Sequence, residues 1–378
     1  MKKYGRYLLP AGMAGLGCLL FYISAAFWGN LGWSKEYILS CISEPLSENQ
    51  AAVIMEQHVE QLEKEISGNN KQRQEEIPDF CIWGQKEQVL LTNENLARGI
   101  QADVILFCGN PNLVFENCRT PARDDRQGCL IDEEAAWKLF GSIKVAGKTI
   151  TYEENQYVIR KVIPGMNGLA AFPAASSSAS GTDISAKEDE PQTVQPEAKV
   201  LNRVTIKKPE GQSVNELQTG WISRYGMDIQ VLDLELLRGL SGLCVLLVPI
   251  TVSVFFLRYL YNQYRNQKRW KGKAVMLCLI FSLVVLTLVL FGKWVEIPDS
   301  YIPAKWSDFN FWAQLIKQKR ESLQLLFTIP KSVPDYGWSK SFAAGAGFGI
   351  TAEAIAVILL FFWKCSKIES TFRKPTGG

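Results

Sequence analysis

The sequence predicts an α+β membrane protein: four transmembrane helices, a mixed α/β extracytoplasmic domain inserted between the first and second of them, and a helical stalk joining the two parts. Three observations predict it. Apolar residues are gathered into four blocks, 7–28, 236–257, 274–294 and 342–363. The long stretch between the first two blocks has the mixed polarity of a domain with its own core. Lysine and arginine collect in three segments that fall on one side if every block spans.

Each block is about 20 residues long, the length that crosses a ~30 Å hydrocarbon layer at 1.5 Å rise per residue. A buried core helix explains any one block, but four in one chain favour a membrane. The third is the clearest, with no charge from Ala274 to Gly292. The first has a rival, because basic residues before an apolar run also describe a signal peptide. Its run exceeds the ~7–15 residues of a signal core, and bulky Phe27 and Trp28 follow Ala25 and Ala26 where a small-residue cleavage site is needed. An uncleaved anchor is expected.

Basic residues in short loops mark the cytoplasmic side. Lys2, Lys3 and Arg6 precede block one; Arg258, Arg265, Lys268, Arg269, Lys271 and Lys273 lie around the 259–273 loop; Lys364, Lys367, Arg373 and Lys374 follow block four. Both termini and the 259–273 loop are therefore expected inside the cell membrane of a prokaryote, with 29–235 and 295–341 outside. The formal net charge of +3 tells against a nucleic-acid binder.

In the outer part, residues 34–66 read as a helix, since Met55, Val59, Leu62 and Ile66 form one apolar stripe. "DIQVLDLELLRGL" runs into block two without a breaker. Two readings stay open: both spans continue outward as a helical stalk, or these helices cap the domain. Strands are expected at "FCIWG", "EQVLL", "DVILFCG" and "CLI", in a hairpin at 148–163 and at "VLNRVTIKKP", with a helix at "SVNELQTGWISRYG". Residues 165–199 are rich in Ser, Ala, Pro and charge and read as a flexible insertion. Cys41, Cys81, Cys108, Cys118 and Cys129 lie in this part; a 118–129 pairing with 81–108 is one option among several.

"LFGSIKVAGKTI" mimics a phosphate-binding loop. That loop reads G-x-x-x-x-G-K-[ST] and must follow a strand and open a helix. Here five residues separate Gly141 from Gly147, and the order is reversed. Asp132 suits an N-cap, Glu133 and Glu134 the first turn, Lys138 the last turn, and Gly141 the left-handed residue that stops a helix. A strand hairpin then follows. No nucleotide cofactor is expected.

Catalytic constellations are not evident. His58 is the sole histidine and sits in the helical stripe. Asp124 and Asp125 fall in a polar loop, and no Cys-x-x-Cys occurs, so no metal site is indicated. Glu353 differs, because it lies near the middle of block four, where a charged side chain costs at least ~2.5 kcal/mol. Either it serves a function inside the membrane or it bonds a hydroxyl such as Ser282 or Thr287. Pro249 is expected to kink its span, and the small residues Ala343, Ala344, Gly345, Gly347 and Gly349 to admit a close helix neighbour. In the 295–341 segment, Trp294, Trp306, Phe309, Phe311, Trp312 and Trp338 suit a membrane boundary. "DFNFWAQLIKQKRESLQLLF" reads as an amphipathic helix with Trp312, Leu315, Ile316, Leu323 and Leu326 on its apolar side.

One anchor helix, a large outer domain and three further spans resemble the permease subunits of the MacB/FtsX/LolC-type ABC transporters. "GCLIDEEAAWKLFGSIKVAGKTITYEENQYVIRKVI" is similar to the end of a MacB-like periplasmic core domain. The matching residues are Ala136, Leu139, Phe140 and Gly141, then Val145, Gly147 and Lys148, then Tyr157, Ile159 and Val162. The 165–199 insertion and the long 295–341 segment depart from that pattern. The resemblance implies a permease without catalysis of its own, paired with a cytoplasmic ABC ATPase and a second permease copy in the lipid bilayer. It also implies that the 259–273 loop docks on the ATPase through Tyr261, Tyr264, Arg265, Arg269 and Trp270, with Tyr259 as a further aromatic anchor. An FtsX-like regulator of an extracytoplasmic cell-wall hydrolase is the alternative.

Overall fold

The computed structural model describes residues 5–67, 77–115, 125–166, 168–174, 199–208, 214–294 and 309–372. In chain order these form α1 (Gly5–Asn30), β1 (Tyr37–Leu46), α2 (Glu48–Ser67), β2 (Phe80–Asn93), β3 (Arg98–Gly109), β4 (Gly128–Asp132) and α3 (Glu133–Phe140). There follow β5 (Thr149–Tyr152), β6 (Asn155–Ile163), β7 (Leu169–Pro173), β8 (Leu201–Lys207), α4 (Val214–Tyr225) and β9 (Ile229–Leu232). The chain then runs through α5 (Leu234–Asn266), α6 (Trp270–Trp294), α7 (Phe309–Thr328) and α8 (Val333–Phe372). Two compact units result: 35–233 with 320–336, and 1–34 with 234–319 and 337–378.

The first unit is built on a nine-stranded sheet in the order β3-β7-β4-β6-β5-β2-β8-β1-β9. Strand β2 also pairs with β3, so the first six strands close into a ring and the last three extend from it. One strand can serve both parts because β2 is long and irregular. Phe80 to Trp83 pair with β8, and Thr92 pairs with β5. Between these ends Gln88 takes φ 51° and the pairing with β3 shifts register between Lys86 and Val89. That bulge bends and twists the strand from one sheet into the other. The two segments read separately from sequence, "FCIWG" and "EQVLL", are thus one strand.

Two aromatic clusters fill the unit. In the ring, Tyr152 stacks on Phe172 at 4.5 Å and Tyr157 meets Phe172 edge-on at 4.8 Å. Under the extension, α2 and α4 bring His58, Trp221 and Tyr225 around Phe80, with ring centroids 4.5, 4.8 and 5.4 Å from it. Helix α2 buries Ala51, Ile54, Met55 and His58, an i, i+3, i+4, i+7 face.

Several expectations are corrected here. Residues 34–66 are not one helix, since strand β1 occupies 37–46 and carries Pro45, which a helix interior does not accept. On the return side β9 occupies Ile229–Leu232 and pairs with β1, so no helical stalk joins either span to the sheet. Helix α2 caps the sheet instead. The expected insertion at 165–199 contains a buried strand, β7, whose Leu169 to Phe172 lie between β3 and β4. Residues 175–198 lie outside the described residues. The 81–108 disulfide does not form in the structure. Cys108 stands opposite Ile82 in the β2–β3 ladder, so the two thiols lie on opposite faces. Cys118 lies outside the described residues.

The second unit holds four helices long and apolar enough to cross a membrane: Pro10–Lys35, Leu234–Asn266, Trp270–Val289 and Val333–Trp363. Small residues set their closest approaches. A Cβ added to Gly345 would lie 2.7 Å from Ser241 Oγ, and one added to Gly349 would lie 3.0 Å from the Cys244 carbonyl oxygen. Gly347 faces open space. Ser24 Oγ on α1 donates to the Gly345 carbonyl at 2.6 Å, an interhelical bond that ties α1 to α8. At one end of α1 the Arg238 guanidinium lies 4.9 Å from the Trp28 ring. Pro249 leaves α5 unbroken. Helix α7 forms where the amphipathic pattern predicts it, with Leu315 and Leu326 buried and Trp312 and Ile316 exposed. Trp306 lies outside the described residues.

Candidate functional site

The basic segment between the second and third apolar helices is the first candidate. Arg258 to Asn266 continue α5, and α6 starts at Trp270, so only residues 267–269 turn the chain. The segment expected as a loop is the tip of a helical hairpin. Its turn is tight because the Gln267 amide still donates to the carbonyls of Gln263 and Tyr264. Arg265 and Lys268 follow from that geometry, since cations suit the carbonyl-rich end of a helix.

Tyr261, Tyr264 and Arg265 are spaced i, i+3, i+4 and share one face of α5. Arg269 lies in the turn and Trp270 opens α6. Tyr261 is 58% and Trp270 75% exposed. The Lys273 ammonium lies 5.8 Å from the centre of the Tyr264 ring, which keeps that ring at the hairpin tip. Tyr259 does not belong with them. It packs edge-on against Trp363 of α8 at 5.6 Å. The tip therefore presents two exposed aromatic rings among cations, a surface suited to an apolar groove with an acidic rim.

Glu353 is the second candidate. Its partner is neither Ser282 nor Thr287. Thr251 Oγ1 on α5 donates to Glu353 Oε1 at 2.6 Å, two residues past Pro249. Glu353 Oε2 is buried and has no hydrogen-bond partner among the described residues. Thr287 instead lies 3.0 Å from Ser253 Oγ and 2.8 Å from the Leu283 carbonyl.

The loop that mimics a phosphate site has turn geometry. Asp132 caps α3, accepting from Ala135 N at 2.7 Å and Glu134 N at 3.3 Å. Gly141 closes the helix at φ 69°, and Gly147 turns at φ 84° before β5. The hairpin after it turns on Glu153 and Glu154, both at positive φ, as a two-residue type I′ turn requires. The Gly-Lys-Thr sequence runs into strand β5 and does not open a helix. His58 is fully buried, and its Nδ1 shares a 2.9 Å hydrogen bond with the Tyr225 hydroxyl. It is part of the core. Asp125 pairs with Arg160, and Asp124 lies outside the described residues.

Sequence reasoning missed the ion pair between Arg203 and Asp335, which lie 132 residues apart in the chain. The only signal was a charge amid the alternating apolar residues of β8. No group of His, Cys, Asp and Glu among the described residues is arranged to hold a metal ion.

No family model matches the chain, and no curated protein does. Solved structures do. The periplasmic region of MacB from Actinobacillus actinomycetemcomitans matches at 12% identity and TM-score 0.35, over 54% of this chain and 92% of that one. The extracellular domain of the noncanonic ABC-type transporter YknZ from Gram-positive bacteria matches at 15% identity and TM-score 0.31, over 52% of this chain and 100% of that one. At these identities and TM-scores the likeness assigns neither a family nor an activity.

Proposed function

We propose that the chain is the permease subunit of an ABC transporter of the MacB/FtsX type, without catalytic activity of its own. In this reading a separate cytoplasmic ATPase docks on the α5–α6 hairpin tip, and a second permease copy completes the assembly. ATP-driven motion then passes through the apolar helices to the sheet unit on the extracytoplasmic side, which exports or extracts a substrate.

The observation that carries the reading is the hairpin tip. Tyr261 and Trp270 are exposed beside Arg265 and Arg269, in the segment that the positive-inside pattern places in the cytoplasm. Exposed aromatic rings among cations cost solubility and are expected where a partner covers them. The four apolar helices, and the strands that lie in sequence between the first two, support the same plan.

Affinity purification from native membranes tests it. The expected result is an ABC ATPase that co-purifies with the chain and is lost from the Tyr261→Ala, Tyr264→Ala, Trp270→Ala triple variant. A preparation that contains no ATPase under mild extraction overturns the reading.

A further inference from the structure

Residues 320–336 belong to the same compact unit as the sheet, although residues 233–319 separate them from its last strand. Three contacts hold their end in place. The Val333 amide donates to Gln85 Oε1 at 2.7 Å. One Arg203 Nη2 donates to the Pro330 carbonyl at 2.7 Å and to Asp335 Oδ2 at 3.2 Å. The other guanidinium arm, Nη1, meets the Cys41 thiol of β1. Ser332 N and Oγ both donate to Asp335 Oδ2, at 3.0 and 2.8 Å, so the Asp335 carboxylate supplies its half of a capping box at the start of α8.

Arg203 and Asp335 are almost entirely out of water, with side chains 5% and 2% exposed. A buried pair of this kind adds little as a mere stabiliser, because desolvation offsets its attraction, yet loss of one partner strands the other. What it does supply is position. The same Asp335 carboxylate oxygen accepts from Ser332 at the start of α8 and from Arg203 on β8. Helix α8 runs unbroken from Val333 to Phe372 and includes the fourth apolar span.

We propose that Arg203 and Asp335 form a clasp that locks the first turn of α8 to strands β2 and β8, so that this turn and the sheet open and close as one cooperative piece. The inference does not depend on the transporter reading. It assigns Arg203, Asp335 and Gln85 as positioning residues for the start of the last helix.

Hydrogen exchange on the full chain in lipid nanodiscs, followed across a denaturant series, tests it. In the parent protein the amides of Ser332 to Asp335 and of Val204 to Ile206 lose protection together. In Arg203→Met the 332–335 amides exchange faster by roughly a hundredfold or more, the scale of stranding a buried charge, while β3 and β7 keep their protection. If Arg203→Met opens the whole sheet, Asp335→Asn decides by the same readout, since it keeps an oxygen for the cap and removes only the charge. Independent opening of the two sets of amides in the parent overturns the proposal, and so does unchanged 332–335 exchange in the variants.

Discussion

Thr251 Oγ1 lies 2.6 Å from Glu353 Oε1, a hydrogen bond between two apolar helices. Hydrogen bonds of this kind contribute about 0.6 kcal/mol on average and up to ~2 kcal/mol. Thr251→Val is therefore expected to lower stability in detergent by that amount. Glu353→Gln keeps an acceptor for Thr251, so it is expected to leave folding unchanged. In the proposed complex with an ATPase, stimulation of that ATPase then reports on the charge itself: equal stimulation assigns Glu353 a structural part, and loss of stimulation with folding intact assigns it a functional one.

Gly345 and Gly349 approach α5, and Gly347 does not. Leucine at 345 or 349 must push Ser241 or the Cys244 carbonyl away, which at ordinary overpacking costs means about 1 to 3 kcal/mol. Leucine at 347 meets nothing within 4 Å and is expected to be neutral. Thermal unfolding of the three variants in one detergent checks the order.

Asp132 carries three backbone bonds. Besides capping α3 it accepts from Gly168 N at 2.8 Å, so one carboxylate ties the start of α3 to the start of β7. Asp132→Ala is expected to lose about 2 to 3 kcal/mol, a cap plus a further charged hydrogen bond. Asp132→Asn should recover part of it. Denaturant midpoints at constant slope give the measurement.

Acid dependence has one clear contributor in the sheet unit. Hydrogen bonds from Arg160 at 2.6 and 3.2 Å hold the Asp125 carboxyl below the usual carboxylate range. A lowered pKa in the folded state means that the pair's contribution is complete above about 3.9, the ordinary Asp value, and fades as pH falls through the folded value. The stability gap between parent and Arg160→Gln should therefore be constant near neutral pH and close only in strong acid. A gap that widens on acidification refutes this assignment.

Burial pushes the Cys108 thiol up to about 11, and Cys41 and Cys129 also lie above the ordinary thiol value through burial. The thiolate is the reactive form. Iodoacetamide at pH 8 is expected to leave all three unmodified in the folded protein and to modify them on unfolding, with mass spectrometry as the readout.

Much of this architecture was legible in the residues, for reasons that differ by element. The four apolar helices were read because length and hydropathy are local properties. Helix α3 was read because Asp132, Lys138 and Gly141 carry its start and stop. The β5–β6 hairpin was read from alternation, although Glu153 and Glu154 gave no hint of their positive φ. The failures are non-local. Strand β1 was mistaken for the start of α2, because the helical stripe of Met55, Val59, Leu62 and Ile66 was extended backward across Pro45. Strand β7 was hidden because "LAAFP" borders a low-complexity stretch, and only its seat between β3 and β4 makes it a strand. The partner of Glu353 and the clasp at Arg203 depend on which helix or strand arrives alongside, and no spacing in the chain encodes that.

The central proposal is that the sheet unit and the α5–α6 hairpin tip face opposite sides of a membrane. Sided labelling tests it most directly. Single cysteines placed at Glu134 on α3 and at Asn262 near the hairpin tip, both exposed in the structure, are treated with a membrane-impermeant maleimide in intact cells and again after permeabilisation. The account predicts labelling of position 134 in intact cells and of position 262 only after permeabilisation. Labelling of both positions under the same condition would contradict it.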